Sequence, residues 1–416
     1  MSFTELFGYR YIKRFYFARF ISNFGNGMSP IALAFGILHL PNGDANLLGL
    51  VLGATTVAML VMSPFGGVLA DKFGRIRAVA FADLVAATGL FVQVAYFATG
   101  SVPVIVLLIV NINFGLMWGI FWPAMSGVLP ALVPDEHLQK TNSVNNLFSN
   151  GAIILGAAVG GIIVAGWGST WALAIDATTF VVGGLLLFSF RHVSVKSEPN
   201  ENTMFDDLIH GWKIFISYRW IVIGVFGFSF IILAWAAGEN ILGPLIALEE
   251  FNGAKSWSLV LTFEGIGLVI GSLIGIKVKI KYPLRFLLII SFSISLYMWS
   301  MAKPQSIWFI AFCALLWGIT IDLWTTIWST AMAREVPREA LSRVSSFDAM
   351  GTMLLRPVGL AIAGPLSIAI GLSNTLYALA IFSAILILGM LATPTMRNMQ
   401  ISEETSSEET PSKRSD

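Results

Sequence analysis

Residues Gly66–Val79 read GGVLADKFGRIRAV, with Asp71, Lys72, Arg75 and Arg77 gathered within seven positions after some twenty residues that carry no charge. Charge of this density does not interrupt a membrane-spanning helix at its centre, where each ionised group costs several kcal/mol. The stretch is therefore a loop at the bilayer edge, ending one apolar span and starting another. That reading decides the fold, because the same alternation continues along the chain.

Of 416 residues, 56% are hydrophobic and 12% charged, about half the charged share of a soluble globular protein. A formal charge of +1 excludes nucleic acid as a partner, since phosphate neutralisation needs a basic surplus on one face. The single cysteine, Cys313, lies in the apolar run FIAFCALLWG, which leaves no disulfide framework and no zinc spacing. No metal site follows from the histidines either. No Walker-type glycine loop with its lysine occurs, so ATP is not expected to drive the chain. The expectation is a protein that is not an enzyme and has no cofactor.

A helix needs about 20 apolar residues to cross the hydrocarbon core. Twelve runs qualify: 14–39, 46–70, 78–99, 102–132, 142–166, 169–190, 220–247, 257–277, 284–302, 306–333, 344–370 and 373–394. The first is too long for a secretory signal, contains Arg19 and has no convincing cleavage site. Lys and Arg are retained in cytoplasmic loops. With both termini inside, the cytoplasmic segments hold nearly all of them, and the external loops hold only Lys255 and Lys303. The expected location is the plasma membrane, in bacteria the inner one. Four regions follow: a six-helix bundle over 1–190, a cytoplasmic linker with an interfacial helix over 191–219, a second six-helix bundle over 220–396, and a polar, disordered tail over 397–416.

The two halves echo each other. A shift of 203 positions lays LVPDEHLQKTNS onto EVPREALSRVSS, and then Gly156, Gly161 and Gly168 onto Gly359, Gly364 and Gly371. A shorter echo sets NGMSPIAL of the first span beside NILGPLIAL of the seventh, pairing Asn26 with Asn240 and Pro30 with Pro244. Two duplicated six-helix halves are the plan of an alternating-access transporter, with its site between the halves near the bilayer midplane.

Gly67, Leu69, Asp71, Lys72, Gly74, Arg75 and Arg77 resemble the loop between the second and third helices of the major facilitator superfamily, written G-x-L-A-D-R/K-x-G-R-R/K. The resemblance covers essentially the whole chain. Within the superfamily, the VPDEHLQKTNS and VPREALSRVSS loops and RFISNFGNGMSPIALAFGIL look most like the bacterial branch of macrolide-efflux-type and enterobactin-exporter-type permeases. The resemblance implies that Gly67, Asp71, Lys72, Gly74, Arg75 and Arg77 form a conformational latch. Asp71 would brace the start of the eleventh helix, near Val344, in the outward-facing state. It also implies a monomer. Departures accompany it: the matching loop of the second half, GIKVKIKYPLR, has no aspartate. GAAVGG in the fifth span carries Ala157 where an antiporter motif has proline, and the fourth span lacks the arginine of many proton-coupled antiporters.

Ionisable groups inside spans are functional candidates. Glu239, in WAAGENILGP, is flanked by glycine and proline that permit a broken helix around a cavity and is the first candidate for proton coupling. Glu264 is the second. Asp322 and Asp176 are candidate counter-ions. Arg356, the one cation near a span centre, cannot shed its charge and needs a partner. Arg19, Asp83 and Asp348 lie near cytoplasmic ends, where latch or interfacial roles are expected. Gly156, Gly160, Gly161, Gly359 and Gly364 are candidates for close helix packing. The expected function is secondary transport of a small amphipathic compound, a drug, macrolide or siderophore-like molecule, exported with protons as the coupling ion. The alternatives are an uptake permease for a small solute and a non-transporting scaffold or lipid-handling protein.

Overall fold

The computed structural model describes residues 6–193, 204–275 and 280–399. The polar run SEPNEN, Lys277, Lys279 and nearly all of the tail lie outside the described residues. Twelve long helices follow one another: α1 Ile12–Leu38, α2 Ala45–Phe73, α3 Arg75–Ala98, α4 Val104–Met125, α5 Asp135–Trp167, α6 Ser169–Phe188, α7 Arg219–Glu250, α8 Ala254–Gly275, α9 Pro283–Ala302, α10 Ile307–Glu335, α11 in two pieces (Arg338–Met353 and Arg356–Ile370) and α12 Leu372–Ala392. Eleven are long and apolar enough to cross a membrane. The other, α1, has 27 residues, a length of about 40 Å at 1.5 Å per residue. It packs against α5 and α6. Among the described residues there is no strand. The protein is an all-α integral membrane protein.

Helix boundaries have local causes. Asp44 caps α2 by accepting the Leu47 N–H at 2.7 Å, satisfying one orphan donor of the first turn. Gly74, at φ 93°, turns the chain from α2 into α3, a conformation that excludes a Cβ. Gly168 (φ 88°) and Gly371 (φ 89°) do the same after α5 and α11. Pro357 cannot donate to Met353 and clashes with its carbonyl, so α11 breaks at Leu354–Leu355. This helix begins at Arg338, before the Val344 expected from hydropathy, because its first turns are polar. The linker helix, Met204–Ser217, packs Trp212 edge-on and Phe215 at a tilt against Phe347 of α11, at centroid distances of 5.5 and 5.8 Å. It is thus anchored on the C-terminal half.

The internal repeat is structural as well. The shift of 203 positions carries the start of α4, Val104, onto that of α10, Ile307. It carries the end of α5, Trp167, onto that of α11, Ile370, and the start of α6, Ser169, onto that of α12, Leu372. The glycines keep equivalent roles. Gly156 of α5 lies against the Phe24 carbonyl of α1, and Gly359 of α11 against the Leu233 carbonyl of α7, each within its own half. Gly161 packs on Ser258 of α8 and Gly364 on Asn46 of α2, each across the halves. Gly160 meets Met28. In every case a side chain would hold the backbones apart.

The buried apolar residues show where the halves meet. One continuous cluster runs through the C-terminal half and on into Ile31–Ile37, Leu48 and Val51, at the ends of α1 and α2 farthest from the Gly66–Val79 loop. A separate cluster around Phe15, Ile76, Phe121 and Phe190 fills the N-terminal half at the basic end, where that loop lies. The halves are therefore joined on the far face, at α2–α11 and α5–α8, and their cores part toward the basic face.

Candidate functional site

A cavity of about 380 Å³ lies between the halves, walled by α1, α2, α3, α4, α5, α6, α7, α8 and α11. Most of its wall is apolar. Its polar groups are Asn26, Ser29, Thr55, Thr56, Gln93 and Asn111 from one half and Glu239, Asn240, Glu264 and Arg356 from the other. The residues of the shorter sequence echo face one another here: Asn26 and Pro30 from α1, Asn240 and Pro244 from α7.

Glu239 sits on a π-helical turn, Ala236–Leu242, in the middle of α7. The break expected from the flanking glycine and proline is this turn, in which the Gly243 N–H reaches back to the Gly238 carbonyl. Such turns displace one residue from the helical register and are frequent at functional sites. Gly238 makes room for Met298 and Gly243 for Trp257, so the irregular turn is packed on both sides. The Glu239 carboxyl stands beside that of Glu264, the Tyr297 hydroxyl and the Trp235 indole, with Arg356 as the nearby cation. Both glutamates are buried, 6% and 8% exposed.

Arg356 lies at the break of α11, its guanidinium carbon 5.6 Å from the centroid of the Trp235 ring. Among the described residues its Nε has no hydrogen-bond partner, and neither does Oε2 of Glu239. A buried, incompletely satisfied cluster of two carboxyls and one guanidinium is costly unless further hydrogen bonds complete it, and all three residues line the cavity.

Two candidates fall elsewhere. Asp322 does not reach the cavity; it packs on Gly271 where α10 crosses α8. Its position past the middle of α10 was legible, but not the face of α10 that carries it. Asp176 is fully buried behind α1, against Gly25 and Thr179, one layer outside the cavity wall. Uncharged wall residues such as Gln93 and Asn111, joined at 3.3 Å, had no sequence signal, because amides in apolar helices have no diagnostic spacing. The Asn26–Asn240 echo was the one usable hint.

The Gly66–Val79 stretch, expected as a loop, is helical except at Gly74: Asp71, in the last turn of α2, pairs with Arg75, in the first turn of α3, at 3.0 Å, both partly exposed. Arg75 also lies against Gly127, and Arg77 donates from Nε to the Arg191 carbonyl at 3.3 Å. Among the described residues the ion pair of Asp71 is with Arg75 of α3 rather than with α11, and the buried cores of the two halves are separate at this end. Arg19 and Asp83 form a buried facing pair inside the N-terminal half, with Arg19 donating to Asn23 Oδ1 at 3.0 Å.

The family model for the Major Facilitator Superfamily matches residues 15–237. The chain belongs to the major facilitator superfamily. Among relatives, it is 24% identical over 329 residues to macrolide efflux protein A of Enterococcus faecalis, covering 75% of this chain and 99% of that one. It is 24% identical over 408 residues to the multidrug efflux pump Tap of Mycolicibacterium fortuitum, covering 93% and 97%. Among solved structures, that of the nucleoside transporter NupG superposes with a TM-score of 0.74 at 13% identity, covering 91% of this chain and 98% of that one. This superfamily member is a multi-pass membrane transporter with efflux proteins among its relatives.

Proposed function

We propose that this transporter exports a small amphipathic compound in exchange for protons, by alternating the access of the central cavity between the two membrane faces. The observation that carries the reading is the adjacency of Glu239 and Glu264 with Arg356 beside them, in a cavity lined by both halves. With one guanidinium present, the cluster is neutral when one of the two carboxyls holds a proton and carries excess negative charge when neither does. Loading a proton or a substrate at such a site changes its charge balance, and thereby which arrangement of the halves is favoured. The mostly apolar wall with a few polar groups suits an amphipathic ligand. Export is supported by the names of the efflux relatives.

The Lys/Arg distribution supports a cytoplasmic basic face, with both termini on it. On that reading the structure is the inward-facing state, and Asp71 reaches the start of α11 when the halves close there. The two six-helix halves act as the moving bodies, in a monomer of a bacterial inner membrane. One charge crossing about 100 mV provides roughly 2.3 kcal/mol, enough for a gradient of about fiftyfold at one proton per substrate.

The test is gradient-driven movement of a panel of fluorescent amphiphiles in proteoliposomes, with Glu239→Gln as the comparison. Movement should collapse with the proton gradient and in the variant. A rate indifferent to an imposed pH difference overturns proton coupling.

A further inference from the structure

A second cavity, of about 330 Å³, lies at the basic end of the C-terminal half between α7, α10 and α11. Its wall holds Phe228, Trp235, Trp324 and Trp328, one carboxylate, Asp348, and no lysine, arginine or histidine. We propose that this cavity binds a monovalent organic cation with an apolar body, outside the central site.

Three observations carry it. The indoles are held in place: Trp324 Nε1 donates to Ser291 Oγ at 2.7 Å and Trp328 Nε1 to Asp348 Oδ1 at 3.0 Å. Trp324 packs against Phe228 and Trp328 at centroid distances of 4.8 and 5.6 Å. Fixed aromatic faces present negative potential to a cation, and Asp348 supplies the counter-charge.

The second observation is the volume and its company. Trp235 belongs to the walls of both cavities, so a cation here lies next to the central site without sharing its carboxyls.

The third comes from the internal repeat. The shift of 203 positions carries Phe121 of α4 onto Trp324 of α10. In the N-terminal half, the Arg19 guanidinium covers the Phe121 ring at 4.8 Å, with Asp83 as its carboxylate. The contacts of Gly156 with the Phe24 carbonyl and of Gly359 with the Leu233 carbonyl relate α1 to α7 by 209 positions, which places Phe228 where the N-terminal half has Arg19. One half thus stacks its own cation on the aromatic ring; the other has a second aromatic ring there, Phe228 at 4.8 Å from Trp324, and no cation of its own, with Asp348 on the wall of the adjoining cavity.

The experiment uses the purified full chain in detergent. Tritiated tetraphenylphosphonium is measured by equilibrium dialysis, and an aryl-azide trimethylammonium photoprobe is mapped by peptide mass spectrometry. Asp348→Asn and Trp328→Leu should each weaken tetraphenylphosphonium binding about tenfold. Trp328→Phe, which keeps an aromatic face and guards against a folding defect, should lose about threefold or less. Tetraphenylborate, the anion of similar size, should not displace the label, and the photoprobe should mark residues 321–332 or 348–353. Unchanged affinity in Asp348→Asn, displacement by tetraphenylborate, or photolabel confined to the central cavity overturns the proposal. Binding is read without a gradient, so a failure of proton coupling and a failure of this site are separate results.

Discussion

The carboxyl of Glu239, on the π turn of α7, stands beside that of Glu264 on α8, and both share the cavity with Arg356 of α11. Groups this close act as a unit, and their substitutions are not additive. Glu239→Gln should lower gradient-driven transport at least tenfold. The double variant with Glu264→Gln should be hardly worse than the single one. Initial rates in proteoliposomes decide this, and rates that multiply independently would separate the two residues.

Arg356 has fixed charge and stands over the Trp235 ring. Lysine lacks the planar fork that stacks on an indole, so Arg356→Lys should fail to restore transport and behave nearly as Arg356→Met. Both should keep the fold, because the break of α11 is set by Pro357. Substrate binding and thermal unfolding, measured side by side, separate a lost ligand contact from a lost fold. Full activity of the lysine variant would show that charge alone suffices.

On the far face, Gly364 lies against Asn46 and Gly161 against Ser258. Valine at either position pushes two backbones apart, an overpacking cost of about 1–3 kcal/mol borne only by the arrangement in which this face is closed. Gly364→Val should therefore shift the population toward opening there. Cys313 is the single cysteine, so a Cys313→Ser background accepts spin labels on the loops after α1 and α11. Their distance distribution should gain a longer component. An unchanged distribution would mean that the α2–α11 contact does not control this face.

The Asp71–Arg75 pair is partly exposed, and pairs of that kind contribute about 0–1 kcal/mol. If Asp71 braces α11 in the other arrangement of the halves, as proposed, Asp71→Asn should leave the melting temperature nearly unaltered while transport falls about tenfold or more. A large loss of stability with normal transport would make the residue an ordinary structural partner.

Much of the architecture was legible in the sequence alone. Span length, charge placement and the 203-position echo are one-dimensional properties, and the bilayer converts them directly into twelve helices with basic loops on one side. The rarity of charge in such helices also brought Glu239, Glu264 and Arg356 forward, since any intramembrane ionisable group needs a reason to be there. What sequence spacing does not contain is the rotation of each helix about its axis. Asp322 and Glu264 both lie within spans, yet only Glu264 faces the cavity, because the close approach at Gly271 turns Asp322 into the α8–α10 contact. The π turn shifts the register of α7 by a residue, the linker helix docks on Phe347, and Asp71 pairs with Arg75. Composition and local propensity determined which segments cross the membrane; packing between distant helices decided which side chains meet, and on which face the halves are closed.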